Sequence, residues 1–134
     1  MLQEHIYIWN WSMRKLITDD VNPFLPLYLE SIEWNDPYLN LKGRGWNFSS
    51  VCSWRVVYKD KLISGCYDDD AHETIKKLEN SRIEKVLIQS NELSVDPVFI
   101  FSHEFKLEFF STTYYEPWVF GLPSGMVFVG SPSA

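Results

Sequence analysis

The sequence predicts an α+β fold: a mainly antiparallel, curved β-sheet, either a partly open barrel or sandwich-like, with one short helix packed on it. Strand-like alternation of apolar and polar residues recurs along the chain and is strictest at Phe105–Phe110, where successive side chains would face opposite sides of a half-buried sheet. Aromatic residues make up 16% of the chain, and they favour strands. Only residues 71–79 carry clear helix signals, so one helix would close over the sheet.

The chain length predicts a single domain over residues 1–134. A chain of 134 residues is long enough to bury a proper core and too short for two comfortable ones. Its hydrophobic content of 46% and charged content of 22% are typical of a soluble globular protein. No internal repeat or linker divides it.

Strands are predicted through most of the first half of the chain. Residues 5–11 alternate and form the first strand, whereas residues 19–26 contain two prolines and are predicted as a loop. Residues 27–34 are predicted as a strand, with a helical turn as the alternative, and residues 46–58 as one or two strands. Shorter strands bounded by turn signals are predicted at residues 38–42 and 62–67.

The predicted helix, residues 71–79, begins with a capping box. Asp70 is the predicted N-cap, and Glu73 lies three residues beyond it. Asp68 and Asp69 precede the positive end of the helix dipole, where negative charge is favoured. Because nine residues are marginal as an isolated helix, packing on the sheet must hold this one.

The C-terminal part of the chain, from residue 83 onward, predicts a series of antiparallel strands joined by one aromatic loop. A strand at residues 83–89 comes first, and residues 96–125 then give a strand, a turn, the alternating strand, the loop, another strand and a Pro/Gly turn. The aromatic loop, residues 111–118, reads STTYYEPW. It is either a self-packed loop over the end of the sheet or a contact patch, because Tyr and Trp supply large contact areas at low entropic cost.

The charge argues against nucleic acid as a partner. The net charge is −6 and the isoelectric point is near 5.0, whereas phosphate neutralisation needs a surface of Lys and Arg. From Leu87 onward the single basic residue is Lys106. An acidic surface suits a basic partner or plain solubility.

The cysteines and the apolar runs predict a cytoplasmic protein without a membrane segment. Residues 1–20 lack the apolar core and cleavage site of a signal peptide, and no apolar run approaches the ~20 residues of a transmembrane helix. Cys52 and Cys66 lie in strand-like segments where a bridge is geometrically conceivable. A reduced pair of small core thiols is the preferred interpretation.

No catalytic residue, metal ligand set or cofactor site is predicted, and the protein is expected not to be an enzyme. The three consecutive aspartates at residues 68–70 have diverging side chains and lack the glycine and distal glutamate of a calcium loop. Helix capping accounts for Asp70, the last of the three, and for Glu73. The histidines His5, His72 and His103 are scattered and lack the spacing of zinc ligands.

The order of strands and turns resembles the small bacterial immunity proteins of polymorphic toxin and contact-dependent inhibition systems. The similarity covers residues 39–125 and contains no catalytic motif. The residues that carry it are Trp54-Arg55, Gly65 with Asp68 to Asp70, Leu78, Ile83 to Gln89, Asp96-Pro97, Phe99, Phe101, Phe105 to Phe110, Glu116-Pro117-Trp118 and Leu122-Pro123. The resemblance implies a non-enzymatic inhibitor that binds a cognate toxin domain, often a cationic nuclease, and blocks its active site or substrate groove.

The partner-binding residues are nominated from their expected exposure, since the resemblance carries no interface residues over. They are Asp68, Asp69, Glu73, Tyr114, Tyr115, Glu116 and Trp118. Two alternatives stay open at the level of sequence. One is a small ligand-binding or catalytic β-barrel with an aromatic pocket at its mouth. The other is a homo-oligomer, such as a homodimer, paired through exposed edge strands.

Overall fold

A computed structural model describes residues 6–8, 13–89, 96–111 and 117–130 of the protein. These residues form two six-stranded sheets that do not close into a barrel. All described strand pairs are antiparallel except β1 with β12. The strands are β1 (Ile6–Ile8), β2 (Leu27–Tyr28), β3 (Ser31–Asn35), β4 (Tyr38–Gly43), β5 (Trp46–Ser50), β6 (Ser53–Tyr58), β7 (Lys61–Gly65), β8 (Arg82–Ile88), β9 (Pro97–Phe101), β10 (Phe105–Phe110), β11 (Trp118–Gly121) and β12 (Met126–Val129). The predicted α+β class, in its sandwich-like form, is confirmed.

Each sheet takes its strands from separate parts of the chain. The first sheet has the order β1-β12-β11-β5-β4-β3, and the second has the order β2-β8-β9-β10-β6-β7. The prediction of one or two strands over residues 46–58 resolves into β5 and β6, which lie in different sheets. The predicted strand at residues 27–34 likewise resolves into β2 and β3, and no helical turn forms there.

Aromatic rings pack the two sheets face to face. Phe48 of β5 has its ring centroid 4.8 Å from that of Phe99 on β9 and 4.9 Å from that of Phe109 on β10. Trp34 and Trp54 meet across the same interface at 5.2 Å. The predicted alternation of β10 is confirmed, because its inward-facing residues at positions 107 and 109 are fully buried. Rings in mutual contact therefore occupy the space between the sheets.

The chain passes from the second sheet to the first between β2 and β3. Leu29 still pairs with the second sheet by accepting the backbone N–H of Asn80, and the next residue donates its N–H to the carbonyl of Lys42 on β4. The Trp46 indole N–H donates to the Tyr28 carbonyl oxygen at 2.9 Å across this crossing. A Cβ at residue 43 would lie 2.0 Å from that indole nitrogen. Only glycine therefore fits where the two sheets join.

The N-terminal helical segment was not predicted. The α-helical turn α1 (Met13–Lys15) continues as a π-helix, Leu16–Val21, and a 3-10 turn, Asn22–Phe24, so the loop predicted at residues 19–26 is wrong over most of its length. Residues 13, 16 and 21 are each at most 3% exposed, and this burial outweighs the proline signals. Pro23 lies in the first turn of the 3-10 segment, where its missing N–H removes no helical hydrogen bond.

The predicted helix forms as α2 (Ala71–Lys76), but without the capping box. It ends three residues earlier than predicted, in a turn over residues 77–80. The Asp70 side chain makes no cap hydrogen bond and instead accepts the hydroxyl of Ser64 at 2.7 Å. Ser64 is 1% exposed, so its hydroxyl needs a partner inside the protein. The buried Ser64 hydroxyl therefore determines the orientation of the Asp70 carboxylate. None of the described helices is long and apolar enough to cross a membrane.

Side chains of α2 and the turn after it cover the free edge of β3. Glu79 Oε2 accepts the Ile32 N–H at 3.0 Å, and Lys76 Nζ donates to the Ile32 carbonyl at 2.6 Å. His72 Nε2 lies 2.9 Å from the Trp34 carbonyl and donates to it. An unpaired strand edge is a template for pairing with another chain. At Ile32 and Trp34 this edge is covered by side chains of the same chain.

The Glu79 contact predicts a pH-dependent contribution to stability. The hydrogen bond from the Ile32 N–H holds the pKa of the Glu79 carboxyl below its usual value; burial opposes this shift, and Lys76 contributes a smaller lowering. A lowered folded-state pKa stabilises the protein above the unfolded-state value of about 4.3, and this stabilisation is lost as pH falls through the folded-state value. We expect Glu79→Gln to lower the urea midpoint at neutral pH and to match the wild type in strong acid. Glu33→Gln, on the outward face of β3, is the control. The difference between its urea midpoint and that of the wild type should not change with pH in this way.

Candidate partner-binding surface

The nominated partner-binding residues come from two segments, and the structure describes only one of them fully. Asp68, Asp69 and Glu73 lie in the connection from β7 to α2 and in its first turn. Tyr114, Tyr115 and Glu116 lie outside the described residues. Trp118, which closes the aromatic loop, is the first residue of β11.

Trp118 is not exposed, so its nomination as a contact residue is corrected. Its side chain is 2% exposed, and its ring stacks on Phe48 with a centroid separation of 5.5 Å. The indole also lies against Gly130, where a Cβ would come within 2.7 Å of it. Trp118 therefore belongs to the core that β5 and β11 share.

Exposed apolar side chains flank the aspartates between β7 and α2. Leu62 is 64% exposed, Ile63 is 37% exposed and Tyr67 is 76% exposed. We call Leu62, Ile63, Tyr67, Asp69 and Glu73 the β7–α2 surface. It combines large apolar side chains with two exposed carboxylates, which is the composition of an anchoring patch with a polar surround.

The four acids of this segment differ in what they do. Asp68 Oδ2 accepts the Gly65 N–H at 2.8 Å, which holds the turn after β7. The Asp70 carboxylate accepts the hydrogen bond of the buried Ser64 hydroxyl. Asp69 and Glu73 are exposed and bond to no other described residue. The carboxylates free to meet a partner are therefore those of Asp69 and Glu73, with Asp68 fixed beside them.

Leu62 and Ile63 of the β7–α2 surface were missed because a β-bulge places them. The pairing of β6 with β7 shifts register between Val56 and Val57, opposite Ile63. A bulge sets two residues against one and turns the following side chains, so adjacent Leu62 and Ile63 are both exposed. Two neighbouring apolar residues cannot both face the core of a regular strand. The adjacency of Leu62 and Ile63 does not by itself identify them as exposed, since the adjacent Val98 and Phe99 of β9 are both buried.

Both stems of the aromatic loop are fixed to a buried polar cluster. Asp96, at 5% exposure, accepts the Ser111 N–H at 2.9 Å and also the Ser111 hydroxyl. On the other stem, the Cys52 thiol donates to the Pro117 carbonyl at 3.2 Å. A loop carried on a rigid base is the usual arrangement of a recognition loop.

The two cysteines are buried and free, in agreement with the predicted reduced pair. Burial raises the pKa of the Cys52 thiol, and the nearby Asp96 carboxylate raises it further, whereas hydrogen bonds from Ser50 and Ser111 oppose the shift. A thiol with a raised pKa is a poor nucleophile at neutral pH. Cys52 is thus a structural donor at the base of the aromatic loop.

The described histidines have structural or peripheral positions. His72 holds the β3 edge, and His103 is exposed in a turn with a positive φ of 64°. His5 lies outside the described residues. Among the residues that the structure describes, no group of three or more His, Cys, Asp or Glu side chains converges as a metal site would require.

Comparison with known proteins returns no match. The chain matches no protein-family model, and neither a curated protein nor a solved structure matches it. A proposal for its function therefore rests on the chemistry and geometry of its own surface.

Proposed function

We propose that this protein is an immunity protein: a non-enzymatic inhibitor that binds a cognate, basic bacterial toxin domain through the β7–α2 surface. The observation that carries the proposal is Tyr67, which is 76% exposed and directly followed by Asp68 and Asp69. Exposed tyrosines flanked by polar groups are the usual energetic anchors of protein interfaces. The acids beside it select a partner of opposite charge.

The charge of the whole chain supports a basic partner. At a net charge of −6, the protein attracts a cationic surface over several ångströms and accelerates its docking. A toxin domain that cuts nucleic acid carries such a surface, because it must neutralise phosphates. An acidic protein bound there competes directly with the substrate.

The β7–α2 surface is also held in place before any partner arrives. The Asp68 carboxylate fixes the turn that presents Tyr67, and α2 is tied to β3 through His72 and Lys76. Ordering loops and side chains on binding costs free energy that a preorganised surface avoids. This rigidity supports a tight complex.

The aromatic loop supplies a second proposed contact through Tyr114, Tyr115 and Glu116. Its anchored stems, Ser111 and Pro117, project from the end of β10 and the start of β11. Two separated patches would enlarge the interface toward the roughly 800 Å² per partner that stable complexes bury.

The proposal predicts which single residue on the described surface matters most. Co-expression with the toxin domain encoded immediately upstream should restore growth, and the purified proteins should form a stable 1:1 complex. Tyr67→Ala should weaken that complex by about 30-fold or more, as expected for an anchor worth about 2 kcal/mol. Asp69→Lys should slow association and reduce its dependence on salt.

Tyr28→Ala is the matched control, because Tyr28 is a 61% exposed tyrosine on β2, at the opposite edge of the second sheet. It should bind like the wild type. Failure of the wild-type protein to rescue growth, or equal losses from Tyr67→Ala and Tyr28→Ala, would contradict the proposal.

A further inference from the structure

The outer face of the first sheet carries a row of amide and hydroxyl side chains. Alternation along β4 turns Tyr38, Asn40 and Lys42 outward, and alternation along β5 turns Asn47 and Ser49 outward. The pairings Lys42 with Asn47 and Asn40 with Ser49 place these side chains next to one another. Asparagine is disfavoured in strands, so its presence at two outward positions of neighbouring strands is not explained by sheet stability.

These side chains line three neighbouring depressions, which we together call the trough. Asn40, Lys42, Asn47 and Ser49 border a depression of about 510 Å³. It shares Asn47 with a second depression of about 210 Å³ toward β12, and it shares Ser49 with a third of about 170 Å³ that Tyr38 also lines. Sites for small molecules and short oligomers have volumes of roughly 300–1,000 Å³.

Gly121 keeps the floor of the trough open. It pairs with Asn47 across β11 and β5, and a Cβ at residue 121 would lie 2.4 Å from Asn47 Oδ1. Glycine weakens a strand interior and often marks a place where another group approaches closely. Here the glycine lets the Asn47 amide lie flat across the neighbouring strand. The position of the Asn47 amide therefore depends on residue 121 being a glycine.

The described lining of the trough is not acidic, although the protein as a whole is. Among the residues that the structure describes, Lys42 is the one charged residue that lines the three depressions, and none of these lining residues carries a carboxylate. Glu33 on β3 pairs with Asn40 but stays outside the lining. A basic partner therefore gains nothing here, which separates this face from the β7–α2 surface. Each asparagine offers two N–H donors and an acceptor oxygen, and Tyr38 offers a ring that is 58% exposed.

We propose that this trough binds a neutral oligosaccharide. The Tyr38 ring would pack on the C–H face of one sugar, and Asn40 and Asn47 would exchange hydrogen bonds with the hydroxyls of the next residues along the glycan. An extended peptide that binds by strand addition fits less well, because this mode needs an exposed strand edge. Both edges of β4, β5 and β11 are already paired with neighbouring strands.

The test uses the whole protein and three neutral probes: maltohexaose, cellohexaose and chitohexaose. In ¹⁵N-resolved NMR spectra, at least one probe should shift the side-chain amide signals of Asn40 and Asn47 in a saturable way. Tyr38→Ala and Asn47→Ala should each weaken binding by about threefold to tenfold, the effect of one lost contact or hydrogen bond. Gly121→Ala, which displaces the Asn47 amide, should weaken it at least as much.

Controls separate this site from the toxin-binding proposal. Tyr67→Ala should leave the oligosaccharide titration unchanged, and Tyr38→Ala should leave the toxin complex unchanged. Urea midpoints show whether Gly121→Ala is folded, and the exposed Tyr38 gives an independent answer if it is not. The proposal is overturned if no probe shifts the two amides up to its solubility limit. It is also overturned if a neutral Gly-Ser peptide shifts them while the sugars do not.

Discussion

Phe48→Ala is expected to lower the free energy of unfolding by about 3–5 kcal/mol, the usual cost of truncating a buried phenylalanine. This is a large share of the 5–15 kcal/mol that keeps a typical domain folded. No other described ring contacts as many aromatic neighbours at the centre of the protein. Truncating the Phe48 side chain would therefore weaken the packing of both sheets.

The position of Phe48 explains this effect. Its side chain is fully buried, and its ring lies within 5.5 Å, centroid to centroid, of Phe99, Phe109, Phe120 and Trp118. Two of these neighbours belong to the opposite sheet. Truncation to alanine would leave a cavity that four large and rigid rings cannot readily fill.

Urea unfolding followed by tryptophan fluorescence measures the effect. Tyr38→Ala is the matched control, because it removes a comparable ring from the outward face of the adjacent strand in the same sheet and should cost less than about 1 kcal/mol. Phe48→Leu provides a milder truncation if the alanine variant does not fold. A loss below about 1 kcal/mol for Phe48→Ala would show that packing between the sheets is not the main source of stability.

Much of the fold was predictable because period-two alternation depends only on which residues are buried. The strands β4, β8 and β10 follow their predicted ranges within a residue or two, since each has one face on the core and turn residues at its ends. Which sheet a strand joins is a different matter. The crossing at Leu29 depends on contacts with Ser81 and Lys42, which are distant in sequence, so no local pattern encodes it.

Local signals failed where a tertiary contact competed with them. The sequence around Asp70 fits a capping box, yet the Asp70 carboxylate accepts a hydrogen bond from the buried hydroxyl of Ser64 instead. The prolines after Asp19 indicate a loop, yet burial of Leu16 and Val21 favours a helical segment. In both cases a partner outside the local window supplied more free energy than the local pattern.

The candidate surface shows the same limit. The aspartates at residues 68–70 were identifiable because consecutive charges are rarely buried. Leu62 and Ile63 were missed, because a bulge in the pairing of β6 with β7 affects their exposure, and Tyr67 was missed because it lies in the turn after β7. Trp118 was wrongly placed on the surface, because the composition of a loop does not show which ring turns inward.

Asp96→Ala is expected to destabilise the protein by about 2–4 kcal/mol and to loosen the stem of the aromatic loop. Asp96 is 5% exposed, and its carboxylate accepts both the backbone N–H and the hydroxyl of Ser111. Hydrogen bonds to a charged group contribute about 1.5–3 kcal/mol, and a buried donor left without a partner adds a further cost. The alanine variant loses both bonds and leaves the Ser111 N–H unpaired.

Two milder variants separate the contributions. Ser111→Ala removes only the hydroxyl bond and should cost about 1–2 kcal/mol. Asp96→Asn keeps an acceptor oxygen for the Ser111 N–H and should fall between the two alanine variants. A double-mutant cycle with Asp96→Ala and Ser111→Ala gives the coupling energy directly. A coupling near zero would mean that the two side chains do not act as a pair.

The same variants test whether the aromatic loop contributes to partner binding. If Tyr114, Tyr115 and Glu116 contact the toxin domain, Asp96→Ala should weaken the complex even under conditions where the variant is fully folded, because an unanchored loop must be ordered on binding. Ser111→Ala should weaken it less, in proportion to its smaller loss of anchoring. Equal affinities for the wild type and both folded variants would confine the interface to the β7–α2 surface. The anchoring cluster would then serve only to hold β10 and β11 on the core.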